Sequence, residues 1–140
     1  ERPDIFDAMH QRYLAWFKDV STTRPDNYAP PRMRIGNAAS RQLILSSQDR
    51  REIPTGYEWH LQIDQAGTYA VELQWAAPCP ATKIQVKADA QTLSAAIPAG
   101  SITHPCGQLT LPAGPLNLQM NVSPNKNRSE APYFVILKAL

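Results

Sequence analysis

Residues 67–75 carry the clearest alternation of hydrophobic and polar positions in the chain. One phase holds Tyr69, Val71, Leu73 and Trp75, and the other holds Ala70, Glu72 and Gln74. A period of two is typical of a β-strand with one buried and one solvated face. The preceding residues 64–67 favour a turn, so we predict an antiparallel hairpin with the strand that ends at Ile63.

The same alternation recurs through most of residues 33–140, with turn residues between the segments. We predict about nine strands, at Met33–Ile35, Gln42–Ser46, Tyr57–Ile63, Tyr69–Trp75, Thr82–Ala88, Gln91–Ile97, Gln108–Leu111, Leu116–Val122 and Tyr133–Leu137. The last of these is almost entirely apolar, as a central strand covered on both faces would be. Short strands at fairly regular spacing predict a mainly β protein, an antiparallel two-sheet β-sandwich of the jelly-roll kind.

Residues 1–21 have a helical period instead. Apolar side chains recur at steps of three and four, at Ile5, Phe6, Met9, Tyr13, Trp16, Phe17 and Val20. This pattern predicts one N-terminal amphipathic helix, whose aromatic face must pack on the sandwich or on a neighbour absent from this chain. The proline-rich residues 22–32 then form a linker, and residues 33–140 form the sandwich domain.

The composition and charge of the chain argue against several classes of function. The chain has 140 residues, which suits one domain with a core, and 13 prolines against 6 glycines favour short elements. A net charge of +2 without a dense basic stripe argues against nucleic acid as a partner, and no apolar run is long enough for a membrane span. Because the chain begins at Glu1 without a leader, we expect a piece of a longer protein.

The sequence offers no catalytic constellation. His10, His60 and His104 are scattered, no serine lies in a Gly-x-Ser-x-Gly elbow, and no glycine-rich phosphate loop is present. We therefore expect no enzymatic activity and no cofactor in this chain. A structural calcium ion is one alternative, because sites built from loop carbonyls leave little trace in sequence, with Asp49 and Asp64 as candidate ligands.

The two cysteines lie in proline-flanked segments, Pro78-Cys79-Pro80 and Pro105-Cys106-Gly107. In an oxidising compartment, an even number of loop cysteines can form a disulfide. The alternative is two free thiols, since a disulfide forms only if the two loops meet closely.

Sugar binding requires an accessible aromatic ring with polar neighbours. Most aromatics share the buried phase of their strands, so core packing is the simpler interpretation for them. Trp75, at a strand end, and Tyr133 are the candidates for exposure, and the loop beside Tyr133 adds amide and guanidinium donors from Asn125, Asn127 and Arg128. The alternative for this loop is a solvated hairpin. An anionic glycan would suit the basic residues Arg32, Arg34, Lys126 and Arg128.

Three parts of the chain resemble a known family. Residues 6–21, with an aromatic pair before Asp19-Val20-Ser21, are similar to the closing helix of bacterial arylsulfatase-type enzymes. Arg32-x-x-Ile35-Gly36 and the apolar strand ending in Gln48-Asp49-Arg50 resemble the extension that follows this helix in a subset of them. The rest is similar to the appended β-sandwich of those proteins and to galactose-binding-like domains on glycosidases, at Trp59-His60-Leu61, Ala66-Gly67-Thr68-Tyr69 and Leu111-Pro112-Ala113-Gly114.

The resemblance does not include the family's active site. The sulfatase signature Cys/Ser-x-Pro-x-Arg is absent both at Cys79 and at Cys106, and the metal-binding Asp-Asp pair is missing. The resemblance therefore implies a noncatalytic C-terminal accessory domain that packs on the catalytic domain of a sulfatase-like hydrolase, in a bacterial periplasmic or secreted location. A dimer formed through the helix face is a second expectation. The alternative function is a carbohydrate-binding module that targets an enzyme to a polysaccharide.

Overall fold

The structure is a computed structural model that describes residues 3–22, 31–123 and 131–140. The chain divides into two units, Glu1–Pro31 and Arg32–Leu140. The first unit contains helix α1, Pro3–Thr22, which begins at a proline, a residue well suited to the first turn because its missing N–H has no intrahelical partner there. The apolar side chains of this helix are exposed, with Phe6 at 69% and Trp16 at 57%. No helix in the described residues is both long and apolar enough to cross a membrane.

The described residues of the second unit contain ten strands. They are β1 (Met33–Ile35), β2 (Gln42–Ser46), β3 (Arg51–Ile53), β4 (Gly56–Ile63), β5 (Gly67–Gln74), β6 (Thr82–Ala88), β7 (Gln91–Ile97), β8 (Thr103–Leu111), β9 (Gly114–Ser123) and β10 (Phe134–Ala139). Four of them, β1, β2, β6 and β7, have the predicted bounds to the residue. Strand β3 is missing from the sequence prediction, because Arg51-Glu52-Ile53 contains a single apolar residue and shows no alternation.

The strands form two sheets. One has six strands in the order β1-β4-β9-β6-β7, with β3 also pairing with β4, and the other has four in the order β2-β10-β5-β8. All pairs are antiparallel except β1 with β4. This confirms the predicted mainly β sandwich with one N-terminal helix. Strand β10 lies between β2 and β5, which agrees with its almost entirely apolar sequence.

The predicted hairpin between β4 and β5 is wrong. The two strands lie in different sheets, so residues 64–66 carry the chain from one sheet to the other. Alternation identifies the buried face of each strand but says nothing about its pairing partner. The buried faces of both strands do point into one core, where Trp59, Leu61, Tyr69 and Leu73 are almost completely inaccessible.

A small polar cluster closes one end of the sandwich near this crossing. The Tyr69 hydroxyl donates to the Gln65 carbonyl at 2.6 Å and lies against Gly36, whose φ of +95° favours glycine. Arg34 donates to both carboxylate oxygens of Asp64, which holds the pKa of Asp64 below its usual value. These contacts fix the segment after β1 to the turn after β4.

Candidate functional site

A depression lies at the opposite end of the sandwich. We call it the rim depression; it has a volume of about 430 Å³ and is lined by Ser47, Arg50, Glu52, Ala131, Pro132 and Tyr133. The lining combines an aromatic ring, a guanidinium, a carboxylate and a hydroxyl. Among the described aromatic residues of Arg32–Leu140, Tyr133 alone is exposed, at 41%.

The main chain holds Tyr133 in place from both sides. Its N–H donates to the Gln74 carbonyl at 2.8 Å, and its carbonyl accepts from the Ser47 N–H at 3.0 Å. Its ring meets Phe134 edge to face, with 4.7 Å between the centroids. The accessible ring is therefore part of a rigid surface and needs little ordering before it can contact a ligand.

Buried aromatic residues also hold Arg50 and the strand that precedes Ser47. The Arg50 guanidinium lies 3.8 Å from the centroid of the Tyr57 ring, and the Trp59 indole N–H donates to the Ser46 carbonyl at 3.0 Å. These buried aromatics connect the polar lining to the core. Sequence reasoning missed Ser47, Arg50 and Glu52, because the pairing of β10 with β2 and β5 is what brings their segment beside Tyr133.

A second polar surface covers the outer side of the six-stranded sheet. Strand pairing places Arg51, Glu58, Gln119 and Lys87 in one row across β3, β4, β9 and β6. Glu58 is only 8% exposed; its carboxylate lies 3.0 Å from His60 Nε2 and accepts from Gln119 Nε2 at 2.9 Å. Burial raises its pKa, but these two hydrogen bonds and the nearby positive charge outweigh burial, and the net pKa lies below the usual value.

A shallow cavity of about 510 Å³ lies beside this row, and we call it the face depression. Its lining is Arg32, Lys87, Asp89, Pro112, Pro115, Leu116, Asn117 and Gln119. Arg32 crosses two strands here, since its Nη1 donates to the carbonyls of Leu61 and Leu116 and to Asn117 Oδ1 at 3.0–3.3 Å. The face depression therefore has a fixed guanidinium at its edge.

The residues that the sequence suggested for sugar binding differ in their exposure in the structure. Trp75 is 4% exposed and belongs to the core, so the prediction of an accessible ring there is wrong. The main-chain N–H of Trp75 donates to the Ile102 carbonyl at 2.8 Å. Tyr133 is accessible, as predicted. Asn125, Asn127 and Arg128 lie outside the described residues.

Of the two alternatives for the cysteines, the structure has the second, since Cys79 and Cys106 are both free thiols. Cys79 pairs through its main chain with residues 100 and 101, whereas Cys106 lies within β8 and not in a loop. Burial raises the pKa of the Cys106 thiol to about 11.

The two candidate calcium ligands are far apart. Asp49 accepts from the Ser46 hydroxyl at 2.6 Å, and Asp64 is bound by Arg34 and Asn37. Asp49 precedes β3, whose Arg51 pairs with Glu58, so about 20 Å of β4 separates the two carboxylates. In the described part of the chain, no group of three or more His, Cys, Asp or Glu residues could hold a metal ion.

His60 and His104 lie in different sheets of the sandwich. His10 lies on α1 and is exposed, His60 is paired with Glu58 on β4, and His104 lies in β8 and not in the predicted loop. Neither depression has a histidine in its lining. The described linings suit hydrogen bonding and stacking, which are the contacts of a binding surface.

Comparison with known proteins finds similar structures but no similar sequences. No family model and no curated protein sequence matches the chain. A β-glucosidase from Paenibacillus barengoltzii is similar in structure, with a TM-score of 0.59 and 10% identity over 81% of this chain and 12% of that chain.

Two further solved structures give similar matches. An α-L-fucosidase from Vibrio sp. strain EJY3 has a TM-score of 0.54 and 17% identity, over 78% of this chain and 24% of that chain. The GH26-CBM35 β-(1,4)-mannanase from Podospora anserina has a TM-score of 0.52 and 14% identity, over 71% of this chain and 28% of that chain.

This chain therefore spans between 12 and 28% of the length of these three proteins. Identities of 10–17% support a common fold and nothing finer. The chain shares its β-sandwich fold with part of each of these three proteins.

Proposed function

We propose that this chain is a noncatalytic carbohydrate-binding module of a larger enzyme, and that the rim depression holds the sugar. The observation that carries this proposal is the accessible, rigidly held ring of Tyr133 beside Arg50, Glu52 and Ser47. The shared fold with parts of a mannanase, a β-glucosidase and a fucosidase supports it. This reverses the priority set by the sequence, which placed the accessory role in a sulfatase-like enzyme first.

The chemistry of the rim depression fits a sugar ring. One face of a pyranose carries axial C–H groups that pack on an aromatic ring, while its hydroxyls need donors and acceptors at the edge. Tyr133 supplies the ring, Arg50 supplies donors, Glu52 supplies acceptors, and the Ser47 hydroxyl supplies both. Hydrogen bonds to charged groups are the stronger kind and would orient the sugar.

The same lining argues for binding without hydrolysis. Glycoside hydrolysis generally uses two carboxyl groups on opposite sides of the scissile bond. Among the described residues that line the rim depression, Glu52 is the single carboxylate. We therefore assign catalysis to another domain of the parent enzyme.

Calorimetric titration of the full chain tests the proposal. The panel contains β-mannan, β-glucan and fucose-containing polysaccharides, chosen from the three similar structures. We expect one of them to bind, and Tyr133→Ala to weaken that binding about tenfold, which is about 1.4 kcal/mol. Tyr133→Phe retains the ring and should bind within about twofold of the unmodified chain.

Ile44→Ala is the matched control, because Ile44 is a similarly exposed side chain on the four-stranded sheet, at 50%. It should leave binding unchanged. Binding to no member of the panel, or an equal loss in Tyr133→Ala and Ile44→Ala, would refute the proposal.

A second candidate function rests on helix α1. Its exposed apolar side chains include Phe6, Met9, Tyr13 and Phe17, which form the kind of contiguous patch that marks an interaction surface. We propose that this face joins the module to the catalytic domain of its parent, a sulfatase-like hydrolase by resemblance, in an extracytoplasmic compartment.

Co-purification with the separately produced remainder of the parent polypeptide tests this second candidate. Tyr13→Ser should abolish the association, and Gln11→Ser, an exposed polar position on the same helix, should not. A stable homodimer that is lost in Tyr13→Ser would assign the face to self-association instead.

A further inference from the structure

We infer that the face depression is a second ligand site, which binds an acidic saccharide through a carboxylate or sulfate group. The site is separate from the rim depression, because the two linings share no residue. It lies on the outer side of the six-stranded sheet, where the side chains of β4, β9 and β6 alternate out of the core.

Arg32 is the group that recognises the anion. Its three hydrogen bonds to described residues all use Nη1, which fixes the plane of the guanidinium. A guanidinium has five N–H donors, so Nη2 and Nε are left with donors for a ligand. These two nitrogens form the fork that matches the paired oxygens of a carboxylate or sulfate.

The amide side chains of the face depression are also held in advance. Asn117 Oδ1 accepts from Arg32, which leaves the Asn117 amide group as a donor. Gln119 Nε2 donates to Glu58, which leaves the Gln119 carbonyl as an acceptor. A saccharide has hydroxyls for both roles. Side chains already ordered by neighbours lose little freedom when a ligand binds.

The charge of the face depression favours an anion. Arg32 and Lys87 contribute two positive charges against the single negative charge of Asp89. Lys87 lies directly across from Gln119 in the strand register. The neighbouring carboxylate of Glu58 is largely buried, and Arg51 lies directly across from it in the strand register, so its negative charge has a positive partner on the same sheet.

Titration of the full chain with polygalacturonate and with chondroitin sulfate tests this inference. The first probe carries only carboxylates as anionic groups and the second carries sulfates as well, so the pair distinguishes the two sources of the anion. A neutral galactomannan is the uncharged comparison. We expect at least one acidic polymer to bind, with an affinity that falls as salt is raised.

Three variants locate the site. Lys87→Gln should weaken acidic-polymer binding about five- to tenfold, and Arg32→Lys should weaken it similarly, because an ammonium keeps the charge but loses the fork. Lys83→Gln is the matched control, since Lys83 lies on the same strand, outside the depression, and carries the same charge. Its expected effect is less than twofold. If Arg32→Lys fails to fold, the inference is tested by comparing the affinities of Lys87→Gln and Lys83→Gln for the acidic polymers.

The outcomes separate this site from the rim depression. Tyr133→Ala should leave acidic-polymer binding unchanged, so failure of one site does not imply failure of the other. Equal losses in Lys87→Gln and Lys83→Gln would show general attraction of polyanions and overturn the inference. Binding of duplex DNA as tightly as the acidic polysaccharides would overturn it too, and so would the absence of binding to both acidic polymers.

Discussion

The aromatic side chains of the helix and those of the sandwich have opposite environments. On α1, Phe6 and Trp16 are largely exposed, whereas in the sandwich Trp59 and Tyr69 are almost completely buried. Both sets follow a regular apolar period in the sequence. A period therefore shows which face of an element avoids water, but it does not show what covers that face.

Tyr133 stands apart from both groups. It lies on the sandwich but is exposed, and its main chain is held by Gln74 and Ser47. An exposed aromatic on a rigid scaffold has a different meaning from one in a core, because its apolar surface is available to a ligand. The aromatic side chains thus fall into three groups, those of the core, those of the helix face and the exposed Tyr133, and substitutions can test this division.

Trp59→Ala should have the largest effect on stability. The indole is buried and its N–H donates to the Ser46 carbonyl, so truncation leaves a cavity and an unpaired carbonyl. We expect a loss of about 3–5 kcal/mol in the free energy of unfolding. Urea denaturation followed by circular dichroism measures it. A loss below about 1 kcal/mol would show that this ring is not core.

Gly36→Ala should have the next largest effect. A Cβ at this position would overlap the Tyr69 hydroxyl, and the φ of +95° is unfavourable for alanine. The expected loss of stability is about 1–3 kcal/mol. Gly100→Ala is the control, because Gly100 also has a positive φ but has open space around its Cβ position. Equal losses in both variants would mean that backbone strain alone is responsible.

Ionisation of Tyr69 should also lower the stability of the protein at alkaline pH. Burial, with a smaller contribution from Asp64, raises the pKa of Tyr69 above its usual value. As pH rises, Tyr69 therefore ionises in the unfolded chain before it ionises in the folded protein. Its contribution to stability is complete below its pKa in the unfolded chain and is lost as pH rises through its pKa in the folded protein. Unfolding midpoints measured from pH 8 to 11 should fall less steeply in Tyr69→Phe. Tyr13→Phe, on the exposed helix face, should leave the slope unchanged.

Trp16→Ala should have the smallest effect on stability. The ring is 57% exposed, and substitutions at such positions usually change stability by less than about 0.5 kcal/mol. The urea midpoint of the sandwich should stay where it is. A loss comparable to that of Trp59→Ala would show that the helix face is buried in solution.

Much of the fold could be predicted from alternation alone. The bounds of β6 and β7 followed from the phase of their apolar residues, which depends only on local sequence. Strand partners could not be predicted, because pairing is set by contacts distant in sequence. For the same reason β4 and β5 were assigned to one hairpin although they lie in different sheets.

In the candidate sites, too, local features could be predicted from the sequence, whereas contacts between distant segments could not. Tyr133 was identified because an aromatic beside a polar loop is visible in sequence, whereas Arg50 and Glu52 come beside it only through the folded chain. Trp75 was misjudged because the position of a residue at a strand end does not show which distant residues bury its side chain. The sequence left the state of Cys79 and Cys106 open, because alternation did not show that β8 begins at Thr103 and includes Cys106.

The central claim is that a sugar contacts Tyr133 at the rim depression. Amide chemical-shift mapping of the full chain, titrated with the oligosaccharide that binds best, tests it most directly. We predict that the shifted resonances cluster at Ser47, Arg50 and Tyr133, with the face depression unaffected by a neutral ligand. Perturbations that avoid these three residues, or none at all, would contradict the claim.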